Sequence, residues 1–150
     1  MSRYPKIRGL PVFRLQAAVI MYVRFVTPLI DSDTRVETGI FQSYFRLLEL
    51  DCPQWVIDQI DDHWEWFGEH LAIPPRRTLY FGRRSSLHGV CWFKGEANEA
   101  IRRTRHMACL FEEGGLPVRF ITWRGPVQAI WSDDHQIVTA PDARMPRGFH

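Results

Sequence analysis

Between residues 54 and 73 the sequence reads QWVIDQIDDHWEWFGEHLAI. Val56, Ile60, Trp64, Phe67 and Leu71 recur at helical spacing, and Asp58, Asp62, Glu65 and Glu69 recur on another face. This is the clearest helical pattern in the chain. Asp51-Cys52-Pro53 punctuates its start, and Pro74-Pro75 stops it. Trp64 falls on the core stripe, whereas Trp55 and Trp66 are placed to meet a partner as well as the core.

Residues 18–27 are rich in Val, Ile, Tyr and Phe and predict a strand that Pro28 ends. Arg24 interrupts one face of it, so that face is expected to reach solvent or a carboxylate. The segment DSDT at 31–34 is a cluster of N-cap residues. It predicts a helix through about Leu48, with Val36, Ile40, Phe41, Tyr44, Phe45 and Leu48 on one side, although Gly39 argues against it. Residues 76–87 read as a loop. Residues 88–94 are a short apolar run, expected as a strand buried on both faces. A third helix is predicted from about Glu96 to Glu113, stopped by Gly114-Gly115. Three strand candidates follow, PVRFITWR, VQAIW and QIVTA. Gly125-Pro126 and SDDH separate them, which predicts a meander. The ending MPRGFH reads as frayed.

The order is β-α-α-β-α-β-β-β. The unit from 88 to 124 is strand–helix–strand, which normally makes a parallel crossover. The expectation is an α+β fold, a mixed four- to five-stranded sheet packed against about three helices. Residues 1–20 read as an N-terminal extension, loosely ordered unless something pins it. Residues 21–141 read as a single α+β domain, and 142–150 as a C-terminal tail.

A length of 150 residues suits one domain, and 6 Trp with 10 Phe supply large bodies for its core. The net charge of +2 is too small to imply nucleic-acid binding. Its distribution says more. Residues 1–75 hold 7 Lys/Arg against 10 Asp/Glu, and residues 76–150 hold 12 against 7. Cys52, Cys91 and Cys109 are odd in number and lack CxxC spacing. That disfavours a disulfide framework and a zinc site and fits a reducing cytoplasm. The apolar run AAVIMYV is far too short to span a membrane. A cytoplasmic protein with no membrane partner, no cofactor and no metal is expected.

The candidate chemistry is sparse. The arginines of the loop and third helix, Arg76, Arg77, Arg83, Arg84, Arg102, Arg103 and Arg105, interleave with Tyr80, Phe81, Trp92 and Phe93. Basic residues among aromatics hold single-stranded nucleic acid in other proteins, and a protein partner fits as well. The turn Lys94-Gly95 opens a helix, as a phosphate cradle does, but Glu96 and Glu99 already occupy that end. The acidic face of the second helix suits the arginines of this chain or of a second copy, which would give a homodimer. His63 and His70 are seven residues apart, about 10 Å along a helix, too far to share one metal. Weak catalytic candidates are Cys91, His88, Asp134 and His135. A nucleophilic thiol needs access and a lowered pKa, and an Asp–His pair can act as a base. Otherwise Cys91 is a small apolar residue in a core strand and SDDH is turn chemistry.

The stretch CWFK…A…IRR…R…A.LFEEGGLPVRFITWR, followed by an aromatic residue, SDDHQIV and A-P, is similar to a group of small uncharacterised bacterial proteins. MYVRFVTPLID and TGIFQS extend the similarity to roughly residues 21–141. The resemblance implies a bacterial or phage cytoplasmic protein and carries over no functional residue.

The function these observations predict is a non-enzymatic binding or regulatory module. It would contact a protein or polyanion, such as nucleic acid, through the basic loop and helix face. The alternative is a small hydrolase with a Cys/His or Asp/His site. A third reading is a homodimer held by the acidic and basic helices.

Overall fold

The computed structural model describes residues 20–75 and 89–150. The elements are β1 (Tyr22–Ile30), β2 (Glu37–Gly39), a 3-10 turn (Phe41–Ser43), α1 (Tyr44–Glu49), α2 (Gln54–His70), β3 (Val90–Lys94), α3 (Asn98–Glu113), β4 (Arg119–Trp123), β5 (Ala129–Ser132) and β6 (Gln136–Thr139). The fold is α+β in the predicted order with β2 added. The predicted loop 76–87, with Arg76, Arg77, Arg83 and Arg84, and His88 lie outside the described residues.

The sheet has six strands in the order β2-β1-β3-β6-β5, with β4 also on β1, and every pairing is antiparallel. This corrects the expected mixed sheet of four or five strands. β3 and β4 do run parallel to each other, because both are antiparallel to β1, but β1 lies between them. The crossover through α3 therefore skips one strand. The expected meander also fails at its first step. β4 pairs with β1, while β5 pairs with β6 at the far edge. Of these three strands only β5 and β6 form a hairpin. In its turn Asp133 Oδ1 accepts the amides of His135 and Gln136, each at 2.8 Å.

The DSDT segment forms a turn rather than a helix start. Asp31 Oδ1 accepts the amides of Asp33 and Thr34, and the chain returns as β2. Local capping chemistry is shared by helix starts and Asx turns, so the pairing of β2 with β1 decides between them. Phe45 and Leu48 are consequently exposed rather than buried. Pro28 sits inside β1, between Val26 and Ile30, where the register with β2 shifts; proline is tolerated at such an irregularity.

One face of the sheet, with Val23, Phe25 and Phe93, packs on the helices. There α2 buries Val56, Ile60 and Phe67, each contributing about 1.5–3 kcal/mol. The other face, with Tyr22, Val26, Val90, Trp92, Ile121, Trp123 and Ile137, has no helix among the described residues. Met145, Val127 and Phe149 cover it instead. The ending predicted to fray is therefore packed. The carboxylate of Glu37 accepts the backbone N–H groups of Gly148, Phe149 and His150, and a Cβ on Gly148 would stand 2.9 Å from Val26 Cγ2.

Candidate functional site

Among the described residues β1 has three neighbours on its two edges. β4 runs along one edge from Tyr22 to Val26. The other edge is shared, with β3 opposite Tyr22 and Val23 and β2 opposite Val26 and Ile30. Between them the sheet is split, and Arg24 lies in the split. Its Nε donates to the Cys91 carbonyl of β3 at 3.1 Å, and its Nη2 donates to the Glu37 carbonyl of β2 at 2.9 Å. The side chain bridges two strands that do not pair with each other. Arg24 is 8% exposed, which corrects the expectation that it reaches solvent or a carboxylate. Among the described residues no acid forms an ion pair with it. Burial lowers its pKa to about 10, so it remains a cation at neutral pH.

The split opens into a cavity of about 340 Å³. The sheet contributes Val23, Phe25 and Phe93, the 3-10 turn contributes Ile40 and Phe41, and α2 contributes Trp64, Phe67 and Gly68. The aromatic wall is mutually packed. Phe41 lies 5.6, 5.0 and 6.1 Å from Trp64, Phe67 and Phe93, and Tyr44 stacks on Trp64 at 5.3 Å. Trp64 was expected in the core stripe. It is 39% exposed because it closes a wall of this cleft instead. Polar groups are few: Arg24, Cys91, Gln42 and Gln136. Gln136 on β6 donates to the Ala72 carbonyl and so ties the segment after α2 to the sheet. A mostly apolar cavity with a few convergent polar groups is the usual form of a small-molecule site.

Cys91 lines this cleft. Burial pushes its thiol up to about 11, with Arg24 opposing, so it is protonated at neutral pH and a poor nucleophile. No described hydrogen bond links Cys91 to a histidine. Asp134 and His135 lie exposed in the β5–β6 turn, where Asp133 supplies the turn bonds. The structure does not bring Cys91 together with the Asp134/His135 pair through any described contact.

The charged helices meet, but not as acid and base. Arg102 and Arg103 of α3 both bind Glu99 of the same helix, at 2.5 and 2.9 Å. Arg103 also lies 4.6 Å over the Trp66 ring, and Trp66 stacks on His70 at 4.3 Å. Arg105 covers Phe120 at 4.5 Å. Asp58, Asp62, Glu65 and Glu69 stay exposed and join no described ion pair with α3. Besides the Arg103–Trp66 contact, α2 and α3 are joined by His63 Nε2 to His106 Nδ1 at 2.7 Å. At the Lys94-Gly95 turn the amides are used by the chain, Lys94 N–H donating to the His135 carbonyl and Gly95 N–H to that of Met21.

Sequence reasoning noticed Arg24 but placed it wrongly, and it did not mark Gly68, Gln136 or Glu37. The available signal was a single arginine inside an otherwise apolar strand, YVRFV. Among the described residues no group of three or more His, Cys, Asp or Glu could hold a metal ion, and no helix is long and apolar enough to cross a membrane. Comparison with protein-family models, with curated proteins and with solved structures finds no match. The class of protein thus rests on the fold and the cleft: an α+β domain with a split sheet edge and an aromatic-walled cavity.

Proposed function

We propose that this chain is a binding module whose ligand, a small and largely apolar organic molecule, occupies the cleft between α2 and the split edge of the sheet. The cleft itself carries the reading: about 340 Å³, walled by Phe41, Trp64, Phe67 and Phe93. At ~30 Å³ per water this is the space of about ten waters, enough for a ligand of on the order of ten heavy atoms. Binding rather than covalent catalysis is supported by the protonated state of Cys91. Contact with a polyanion through Arg102, Arg103 and Arg105 has less support, because each of these already meets Glu99 or an aromatic ring.

The test uses 1-aminoanthracene, a neutral apolar fluorophore. Its emission is expected to rise on binding with micromolar affinity, in a one-to-one ratio. Gly68 lines the cleft, and a Cβ there meets nothing within 4 Å, so Gly68→Phe is chosen to place a ring at the cavity wall from an uncrowded position. It should abolish the signal while the thermal unfolding midpoint stays within a few degrees of the wild type. A probe that binds the variant as well as the wild type, or binds neither, would remove the cleft as the ligand site.

A further inference from the structure

We infer that the cleft selects an organic monoanion, a carboxylate carried on an apolar body, with the carboxylate received at Arg24. This rests on the cleft being the binding site.

The first ground is an unbalanced charge. Arg24 is a cation in the floor of an apolar cavity, and carbonyl dipoles are its described partners. A buried charge is stabilised fully only by a counter-charge. The acid nearest in the fold, Glu37, offers Arg24 its backbone carbonyl, while its carboxylate is engaged by three amides of the tail. Glu37 and Asp31 act on the guanidinium only through space, opposing the effect of burial, and no described hydrogen bond joins either carboxylate to it.

The second ground is an unmet donor. Trp92 is 2% exposed on the tail-covered face, and its indole Nε1 has no hydrogen-bond partner among the described residues. The Arg24 guanidinium carbon lies 5.7 Å from the centre of the Trp92 ring. A buried donor without an acceptor is uncommon in folded proteins. Of the guanidinium nitrogens, Nε and Nη2 donate to carbonyls and no described hydrogen bond uses Nη1, so Arg24 itself keeps donor capacity for a carboxylate.

The charge also limits the ligand. One guanidinium balances one negative charge, and its planar fork matches a carboxylate. A phosphate dianion would leave a second charge uncompensated in a cavity whose walls are aromatic and aliphatic. A cationic ligand would meet Arg24 directly.

The experiment is displacement of 1-aminoanthracene from the wild-type protein at pH 7.5 by matched pairs. Octanoate is set against 1-octanol, and 1-naphthoate against 1-naphthalenemethanol, with octylamine as the cationic control. Each acid is expected to displace the probe at least tenfold more strongly than its alcohol, and octylamine not at all. Arg24→Met should abolish that ratio while keeping probe binding. Circular dichroism checks its folding, and the wild-type ratio stands without it. Alcohols that compete as well as the acids would overturn the anion inference and leave the cleft standing. Failure of the probe and of every competitor to bind would remove both.

Discussion

Two neighbouring strands of the sheet each bury one charge, and the two charges are treated in opposite ways. Glu37, on β2, is 2% exposed, and three tail amides converge on its carboxylate. Arg24, on the neighbouring strand, is nearly as buried but opens onto a cavity. The first charge is saturated by the chain itself and closes its face. The second is met by two carbonyls and opens onto the cleft. Buried charge serves closure where the fold supplies its partners, and recognition where it does not.

The largest effects should come from exchanging the charges for apolar groups. Glu37→Leu strands three tail amides and is expected to destabilise by about 3–5 kcal/mol, since hydrogen bonds to a charged group are worth roughly 1.5–3 kcal/mol each. The tail from Asp142 to His150 should then be cut by protease in the otherwise folded protein. Arg24→Met breaks two bonds to carbonyls but also removes the cost of burying a cation, so its loss should be smaller, about 1–3 kcal/mol. Urea unfolding of both variants checks the order. An Arg24 variant that loses more than the Glu37 variant would contradict the comparison.

Two glycines sharpen the same contrast at smaller scale. A Cβ on Gly148 would sit 2.9 Å from Val26 Cγ2 and 3.0 Å from Arg119 Cβ, inside the closed face. Gly148→Ala should cost about 1–2 kcal/mol by overpacking. A Cβ on Gly68 meets nothing. Gly68→Ala should stabilise by about 0.5–1 kcal/mol, the helix-propensity gain at an interior position. The same substitution is thus expected to change sign between the faces, read as shifts of the thermal midpoint.

The open side was the less legible in the sequence. Helix α2 was plain because its periodicity is local, and its ends follow from Pro53 and Pro74. Helix α3 was plain for the same reason, with Gly114-Gly115 as its stop. Arg24 was visible as a break in a strand. Its role depends on β1 changing neighbours along one edge, and that is decided by residues 13 and 67 positions away, Glu37 and Cys91. Glu37 was hidden inside a predicted helix, because DSDT caps a helix and closes an Asx turn with the same oxygens. The bonds that seat the tail join residues more than a hundred positions apart, and no local pattern announces them.

The smallest effect concerns the helix layer that roofs the cleft. His63 of α2 and His106 of α3 are 2.7 Å apart, and Arg103 Nη1 is 3.5 Å from His63 Nδ1. An arginine can only donate, so His63 Nδ1 accepts, Nε2 carries the proton, and His106 Nδ1 accepts from it. Protonating His63 would turn its accepting nitrogen into a donor facing a cation. Burial, His106, Arg103 and Arg102 all lower its pKa below the usual 6.5, and Asp62 opposes them. The folded state therefore holds fewer protons than the unfolded state once the pH falls below 6.5, so stability is complete above that value and declines as the pH drops toward the folded pKa. The carboxylates whose pKa values are lowered, Asp142 and Glu99, titrate well below this window. A decline in urea midpoint that begins near pH 6.5 and is flattened by His63→Gln would locate His63 as the joint between α2 and α3. If the decline is unchanged in the variant, the joint is held by packing alone, and the cleft's roof would not respond to mild acid.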